Sequence, residues 1–320
     1  MEHVADLPVL QRETSRSVSI AFVMMVALFG VAPFVAYPVF LMQVLCFALF
    51  ACAFNLLIGY VGLVSFGHAL YFGWASYLSA YAAKAWGLSP ELAVIIGTAT
   101  AAVLGVIAGW VAIRRQGIYF AMITLALAQM MYFFALRAKF TGGEDGIQAV
   151  PRGRLFGLFD LSNEMTMYLF VLVVFLAAFL LIYRIINSPF GEVLKAIREN
   201  EQRTVSLGYD TDRYKLVAFI LSATLAGLAG SLKALVFQLA SLTDVHWNMS
   251  GEVLLMTLVG GLGTIFGPVV GAFLIVAMEN YLAPFGQWVL VVQGTIFIVC
   301  VLVFRRGIVG ELATRLRVQL

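Results

Sequence analysis

The chain is a succession of apolar windows, and these constrain its fold more than any other feature. About ten are long enough to cross roughly 30 Å of hydrocarbon, near 17–37, 38–58, 68–84, 90–112, 117–138, 165–186, 214–240, 251–267, 268–283 and 287–304. Without water every backbone group in such a window must bond internally, which predicts helix. Hydrophobic residues make up 62% of the 320 and charged residues only 12%, more apolar surface than one soluble core could hide. The predicted class is an all-α polytopic membrane protein with one transmembrane domain over 17–304. Pro33 and Pro38 mark the first boundary between windows, and glycines break the 251–283 region.

Lysine and arginine set the orientation. With the N-terminus inside, the inner segments hold Arg12, Arg16, Arg114, Arg115, Arg184, Lys195, Arg198, Arg203, Arg213, Lys215, Arg305, Arg306, Arg315 and Arg317. The outer segments hold Lys84, Arg137, Lys139, Arg152 and Arg154, and Lys233 lies within a span. Fourteen against five predicts that both termini are cytoplasmic. Residues 1–16 carry Glu2, Asp6, Arg12, Glu13 and Arg16 with no small-residue cleavage site, and are expected to be a retained tail. Residues 305–320 form the tail at the other end. Cys46, Cys52 and Cys300 sit in apolar spans without metal-site spacing, so buried, inert thiols are expected.

The densest run of charge lies in mid-chain, SPFGEVLKAIRENEQRTVSLGYDTDRYKL at 188–216. Ser188 suits an N-cap, Pro189 the first helical position and Gly208 a stop. Between them Phe190, Leu194, Ile197 and Val205 recur at helical spacing among Glu192, Lys195, Arg198, Glu199, Asn200, Glu201 and Arg203. Such a helix, held in water between two spans, is either a solvated connector or a surface for a partner to grip.

Two glycine-rich runs interrupt the spans. The first is GYVGLVSFGH at 59–68 and the second GGLGTIFGP at 260–268. Each carries a hydroxyl residue and then Phe-Gly, a likeness that points to internal duplication. Non-helical backbone at membrane depth needs protein cover or a wet cavity, whereas glycine by itself permits close helix packing. Both readings stand. Ionisable groups inside the spans are His68, Lys233, Glu252 and Glu279. His68 is either a hydrogen-bonded structural residue or part of a pathway. Glu252 follows Ser250-Gly251, where a carboxylate would cap a helix start. Glu279 is expected near the interface. Lys233 either snorkels outward or faces a cavity as an attractor for anions.

The chain has no phosphate-binding loop, no regular arginine array, no cluster of intramembrane carboxylates, no metal-ligand spacing and no hydrolase triad. No cofactor, metal or nucleic acid is expected. Energy for uphill transport would have to come from a partner.

Four runs in one order then resemble a family: FNLLIGYVGLVSFGHALYFG at 54–73, GIYFAMITLALAQ at 117–129 with TGGEDGI at 141–147, the segment at 188–232, and EVLLMTLVGGLGTIFGPVVG at 252–271. They resemble the LivM-type permease subunits of bacterial ABC importers for branched-chain amino acids. The resemblance implies the ABC importer permease fold in the inner membrane and no catalysis by this chain. It implies as partners a second, LivH-like permease, two ATP-binding subunits that hold the ATP, and a periplasmic solute-binding protein. The 188–213 segment would then be the coupling element, docking helix-in-groove on an ATPase, and the loop at 139–164 the surface for the binding protein. Gly62, Ser65, Gly67, His68, Thr124, Gln129, Lys233, Glu252, Gly261 and Gly263 are the candidates for the translocation path. The chain departs from the family at Lys233, where an aromatic or apolar residue is usual, and at Phe304-Arg305-Arg306-Gly307, where a proline is common. The first departure leaves urea, short amides or aromatic acids open as cargo. A secondary transporter or channel would use the same glycine breaks but leave the central helix without a purpose, and a membrane enzyme would lack its catalytic constellation.

Overall fold

A computed structural model of the chain describes residues 7–282 and 307–316, together with 291, 292, 294, 295, 298 and 302. Among the described residues eleven α-helices follow in order: α1 Leu7–Val31, α2 Pro38–Tyr60, α3 His68–Lys84, α4 Pro90–Ala112, α5 Ile118–Arg137, α6 Glu164–Ile186, α7 Pro189–Ser206, α8 Thr211–Phe237, α9 Trp247–Gly260, α10 Gly267–Leu282 and α11 Gly307–Leu316. Of these, α2, α4, α5, α6 and α8 are long and apolar enough to span a membrane by themselves. Helices α3, α9 and α10 are shorter, at 17, 14 and 16 residues, because glycine-rich connections at 61–67 and 261–266 interrupt the helix. The window at 287–304 falls largely outside the described residues.

Several boundaries differ from those read in the sequence. Helix α1 begins at Leu7, inside the expected tail, and gives way to a 3-10 turn over Ala32–Phe34 that contains Pro33. Helix α9 begins at Trp247, because His246 Nδ1 accepts the Asn248 N–H and starts it one turn early. Glu252 therefore lies within the helix, not at its cap, and its carboxyl faces Glu279 of α10. The segment after Arg306 includes helix α11, whose Gly307 and Val309 are buried; a Cβ at Gly307 would stand 2.3 Å from Gly261 Cα, so α11 closes on the second glycine break.

The core is built around α2, which is buried along nearly its whole length from Leu41 to Tyr60. It packs against α6, α8, α9 and α10, while α8 packs in turn against α3 and α4. Small residues set these approaches. Along α4, Gly97 meets Ser231, Gly105 meets Ala223 and Gly109 meets Phe219, so α4 and α8 run antiparallel. Helix α1 lies outside α6, through Phe22 on Phe179 and Phe29 on Phe175, with Tyr168 Oη donating to the Phe29 carbonyl at 2.5 Å.

Between α5 and α6 the chain contributes three two-residue strands. Strand β1 (Ile147–Gln148) pairs antiparallel with β4 (Leu239–Ala240), just past the end of α8, and β2 (Arg154–Leu155) with β3 (Phe159–Asp160). Lys84 Nζ donates to the Gln148 carbonyl at 2.7 Å and Arg152 Nη2 to the Val236 carbonyl at 2.8 Å. Two of the charges assigned to this side thus fasten the loop onto the ends of α3 and α8. Helix α7 lies at the opposite end, between the end of α6 and the start of α8.

Candidate functional site: an amphipathic helix clasped to two glycine breaks

Helix α7 starts as its sequence predicts. Ser188 Oγ accepts the Gly191 N–H at 3.3 Å, Pro189 takes the first helical position, and the chain leaves the helix through Gly208 at φ +92. Leu194 and Ile197 are buried, and Phe190 stacks on Tyr214 of α8 with centroids 5.6 Å apart. Each buried aliphatic side chain contributes about 1.5–3 kcal/mol to holding α7 against the bundle. One expected anchor fails. Val205 is 52% exposed, and Thr204 takes the buried position in its place. Between Ile197 and Thr204, Asn200, with φ −159 and ψ 97, breaks the helix, and its Oδ1 accepts the Arg203 N–H at 3.0 Å to restart it. Thr204 stands two turns after Ile197, so the buried face runs on through Glu201 and Thr204 and leaves Val205 beside it.

The charges of α7 divide in two. Glu201 turns inward to Lys215 Nζ at 2.6 Å, and Lys215, almost fully buried, also holds Asp212 at 2.9 Å. Lys195 and Glu192 pair with each other at the surface, 2.8 Å apart. Glu199 and Arg203 are exposed. A cleft of about 640 Å³ opens between the two halves of the kinked helix, lined by Pro189, Glu192, Val193, Ala196, Leu207 and Tyr209 among others.

Arg198 reaches away from this face. Its Nη1 donates to the carbonyl of Gly59 at the end of α2. A Cβ on Gly62 would stand 3.2 Å from Arg198 Cγ, and one on Gly263 would stand 3.0 Å from Arg198 Nη1. Both glycines also have positive φ, +83 and +74, so this contact needs glycine twice over. Asn55, buried in α2, completes the junction. Its Nδ2 donates to the Thr264 carbonyl at 2.9 Å and its Oδ1 accepts the Gly263 N–H at 3.0 Å. The two breaks, about two hundred residues apart in sequence, are thus fastened to each other and to α7.

Within each break the hydroxyl residue does the same work. Ser65 Oγ accepts the Gly67 N–H at 3.2 Å and Thr264 Oγ1 accepts the Gly267 N–H at 3.1 Å, each closing the start of the next helix. Thr124 of α5 covers the first break, its Oγ1 accepting the Phe66 N–H at 3.2 Å. Gly62, Ser65, Gly67, Thr124, Gly261 and Gly263 therefore gather at one end of the bundle.

The other path candidates are engaged differently. His68 is fully enclosed, with its ring edge-on to Phe54 and Tyr71. Ser222 Oγ donates to the Ala53 carbonyl at 2.5 Å, so it accepts from His68 Nε2 at 2.9 Å. That places the proton on Nε2 and leaves Nδ1 without a partner. Gln129 sits half-buried further along α5 and makes no hydrogen bond among the described residues. Lys233 neither snorkels nor stands free. Its Nζ lies 2.8 and 2.6 Å from the two carboxylate oxygens of Asp244, and both side chains are buried. Asp244 Oδ2 also accepts the Ser241 N–H at 3.2 Å. Asn55 and Asp244 are absent from the sequence-derived set. Asn55 carried a usable signal, an amide inside an apolar span close to the first glycine break. Asp244 carried none, because the turn that brings it back to α8 is not periodic.

Among the described residues no group of His, Cys, Asp and Glu is arranged to hold a metal. The model of a known protein family, the branched-chain amino acid transport system / permease component, matches residues 37–301. The chain belongs to this family. The high-affinity branched-chain amino acid transport system permease protein LivM of Escherichia coli K12 is 26% identical over 288 residues, covering 83% of this chain and 68% of that protein. The probable branched-chain amino acid transport permease LivH of Methanocaldococcus jannaschii is 31% identical over 165 residues, 48% of this chain and 51% of its own length. The autoinducer 2 import system permease LsrC of Yersinia pseudotuberculosis is 34% identical over 107 residues, 30% of this chain and 29% of its own. No solved structure matches the chain. The family match takes in both glycine breaks, α7, and the residues that join them.

Proposed function

We propose that this multi-pass permease is the LivM-like subunit of an ATP-driven importer in the bacterial inner membrane, with both termini cytoplasmic. It works beside a second, LivH-like permease, two ATP-binding subunits and a periplasmic binding protein, and moves branched-chain or related amino acids by alternating access. The chain contributes no catalysis of its own. One observation carries this reading: an amphipathic helix outside the spans, α7, is seated by Leu194 and Ile197 and touches both glycine breaks through Arg198. A push or pull on α7 from the cytoplasm is transmitted to the two places where the bundle is not helical. The exposed face with Glu192, Lys195, Glu199 and Arg203 is then the surface that an ATPase grips, with apolar contacts supplying affinity and charges the register.

The cargo reading rests on the LivM relatives, which align over most of the chain. Lys233 is the departure that opens urea, short amides or aromatic acids as cargo. With its ammonium engaged by Asp244 it offers no free cation to a solute. The test is the double charge reversal Glu199→Lys with Arg203→Glu in the complete complex. Uptake falls to background while ATP hydrolysis and copurification of the subunits persist. Undiminished uptake in that variant refutes the assignment of α7.

A further inference from the structure

The hairpin Arg154–Asp160 takes no part in the coupling described above, yet its composition is unusual for a loop. Its tip holds Phe156, Gly157 and Leu158, with Phe159 following on β3, and the three large side chains are 71%, 81% and 58% exposed. Leu158 N–H donates to the Leu155 carbonyl at 3.0 Å, closing a tight turn whose central residues Phe156 and Gly157 both have positive φ, +50 and +73. Glycine is at ease there, but a bulky side chain is not. A phenylalanine held in that conformation, with its ring in the open, points to a use for the ring.

The position of the hairpin says what covers it. Strand β2 packs on α4, and a Cβ at Gly153 would stand 3.2 Å from Pro90, the first residue of that helix. Directly below begins the outward stripe of α4, Leu92, Ile95, Val103, Val106 and Trp110, all exposed at helical spacing on a span apolar enough to cross a membrane. The tip continues that lipid-facing surface at the level where the span ends. Arg154 and Asp160 pair across the base of the hairpin, and Trp86, 55% exposed, stands at the neighbouring end of α3. Aromatic and aliphatic side chains flanked by charge are what a headgroup boundary accommodates.

We infer that the 154–160 hairpin is a membrane-surface anchor: Phe156, Leu158 and Phe159 insert about 5–10 Å into the headgroup region of the leaflet at the end opposite α7. It steadies the loop that carries β1, whose pairing with β4 reaches the end of α8. This inference does not depend on the coupling role of α7.

The test uses the full chain in liposomes of phosphatidylcholine and phosphatidylglycerol. Leu158→Cys is labelled with an environment-sensitive fluorophore; Cys300 is replaced by Ser, and the buried Cys46 and Cys52 stay in place. Emission is expected to shift to the blue and to be quenched by phospholipids bearing a nitroxide high on the acyl chain, and not by aqueous iodide. Glu144→Cys, exposed on the same loop, is expected to show the reverse. Water-like emission and equal iodide quenching at both positions overturn the anchor. So does a label at 158 that becomes shielded only when a soluble solute-binding protein is added, which would make the tip a protein-docking surface.

Discussion

Replacing Lys233 by Met strips a buried carboxylate of its counter-ion while keeping the length of the side chain. In the native chain the Lys233 and Asp244 side chains are only 11% and 3% exposed, and the ammonium bridges both carboxylate oxygens. After the change Asp244 keeps one described donor, the Ser241 N–H. Breaking a buried pair from one side costs about 3–5 kcal/mol, because the remaining charge is left desolvated. Against a total stability on the order of 5–15 kcal/mol that is a large fraction. It corresponds to a fall of roughly 5–15 °C in melting temperature. Cys46 and Cys52, buried and unpaired in α2, supply the assay: with Cys300 replaced, a thiol-reactive dye reports unfolding of the detergent-solubilised protein. Neutralising both partners, Lys233→Met with Asp244→Asn, is expected to recover most of the loss, since a pair replaced on both sides is close to neutral. A single variant as stable as the native chain, or a double variant no better than the single, would refute a structural ion pair.

Two further outcomes follow from the junction of the glycine breaks. Asn55→Leu leaves the Gly263 N–H and the Thr264 carbonyl without their partner, at about 1–3 kcal/mol for two part-buried groups; the same dye assay should show it, and unchanged melting would mean that the breaks are held by packing alone. Arg198→Ala should lower uptake with α7 still folded, as circular dichroism and subunit copurification would report. Arg198→Lys should recover little, because a point charge cannot both reach Gly59 and lie flat between Gly62 and Gly263; full activity in Arg198→Ala would remove the proposed link.

Local chemistry was readable where neighbours in sequence do the work. Ser188, Pro189 and Gly208 bound α7 in the structure because capping is settled within three or four residues. Window length likewise marked out the spans α2, α4, α5, α6 and α8, since hydrocarbon imposes its thickness on any helix crossing it. The glycine runs were visible, and so was the hydroxyl in each, but what Ser65 and Thr264 do there required their N–H partners. Val205 shows the limit of periodicity: Thr204, two turns after Ile197, takes the buried position and the apolar side chain beside it is left exposed.

The chain order alone therefore dictated a helical membrane protein with a charged helix in mid-chain, because solvent and helical period act on each segment separately. Which distant groups meet was decided by the tertiary packing. Asn55 finds Gly263 across 208 positions, Arg198 finds Gly59 across 139, and Lys233 finds Asp244 through an irregular turn. Such contacts depend on how α2, α7, α8 and α9 approach one another, and no pattern within a single helix encodes that approach.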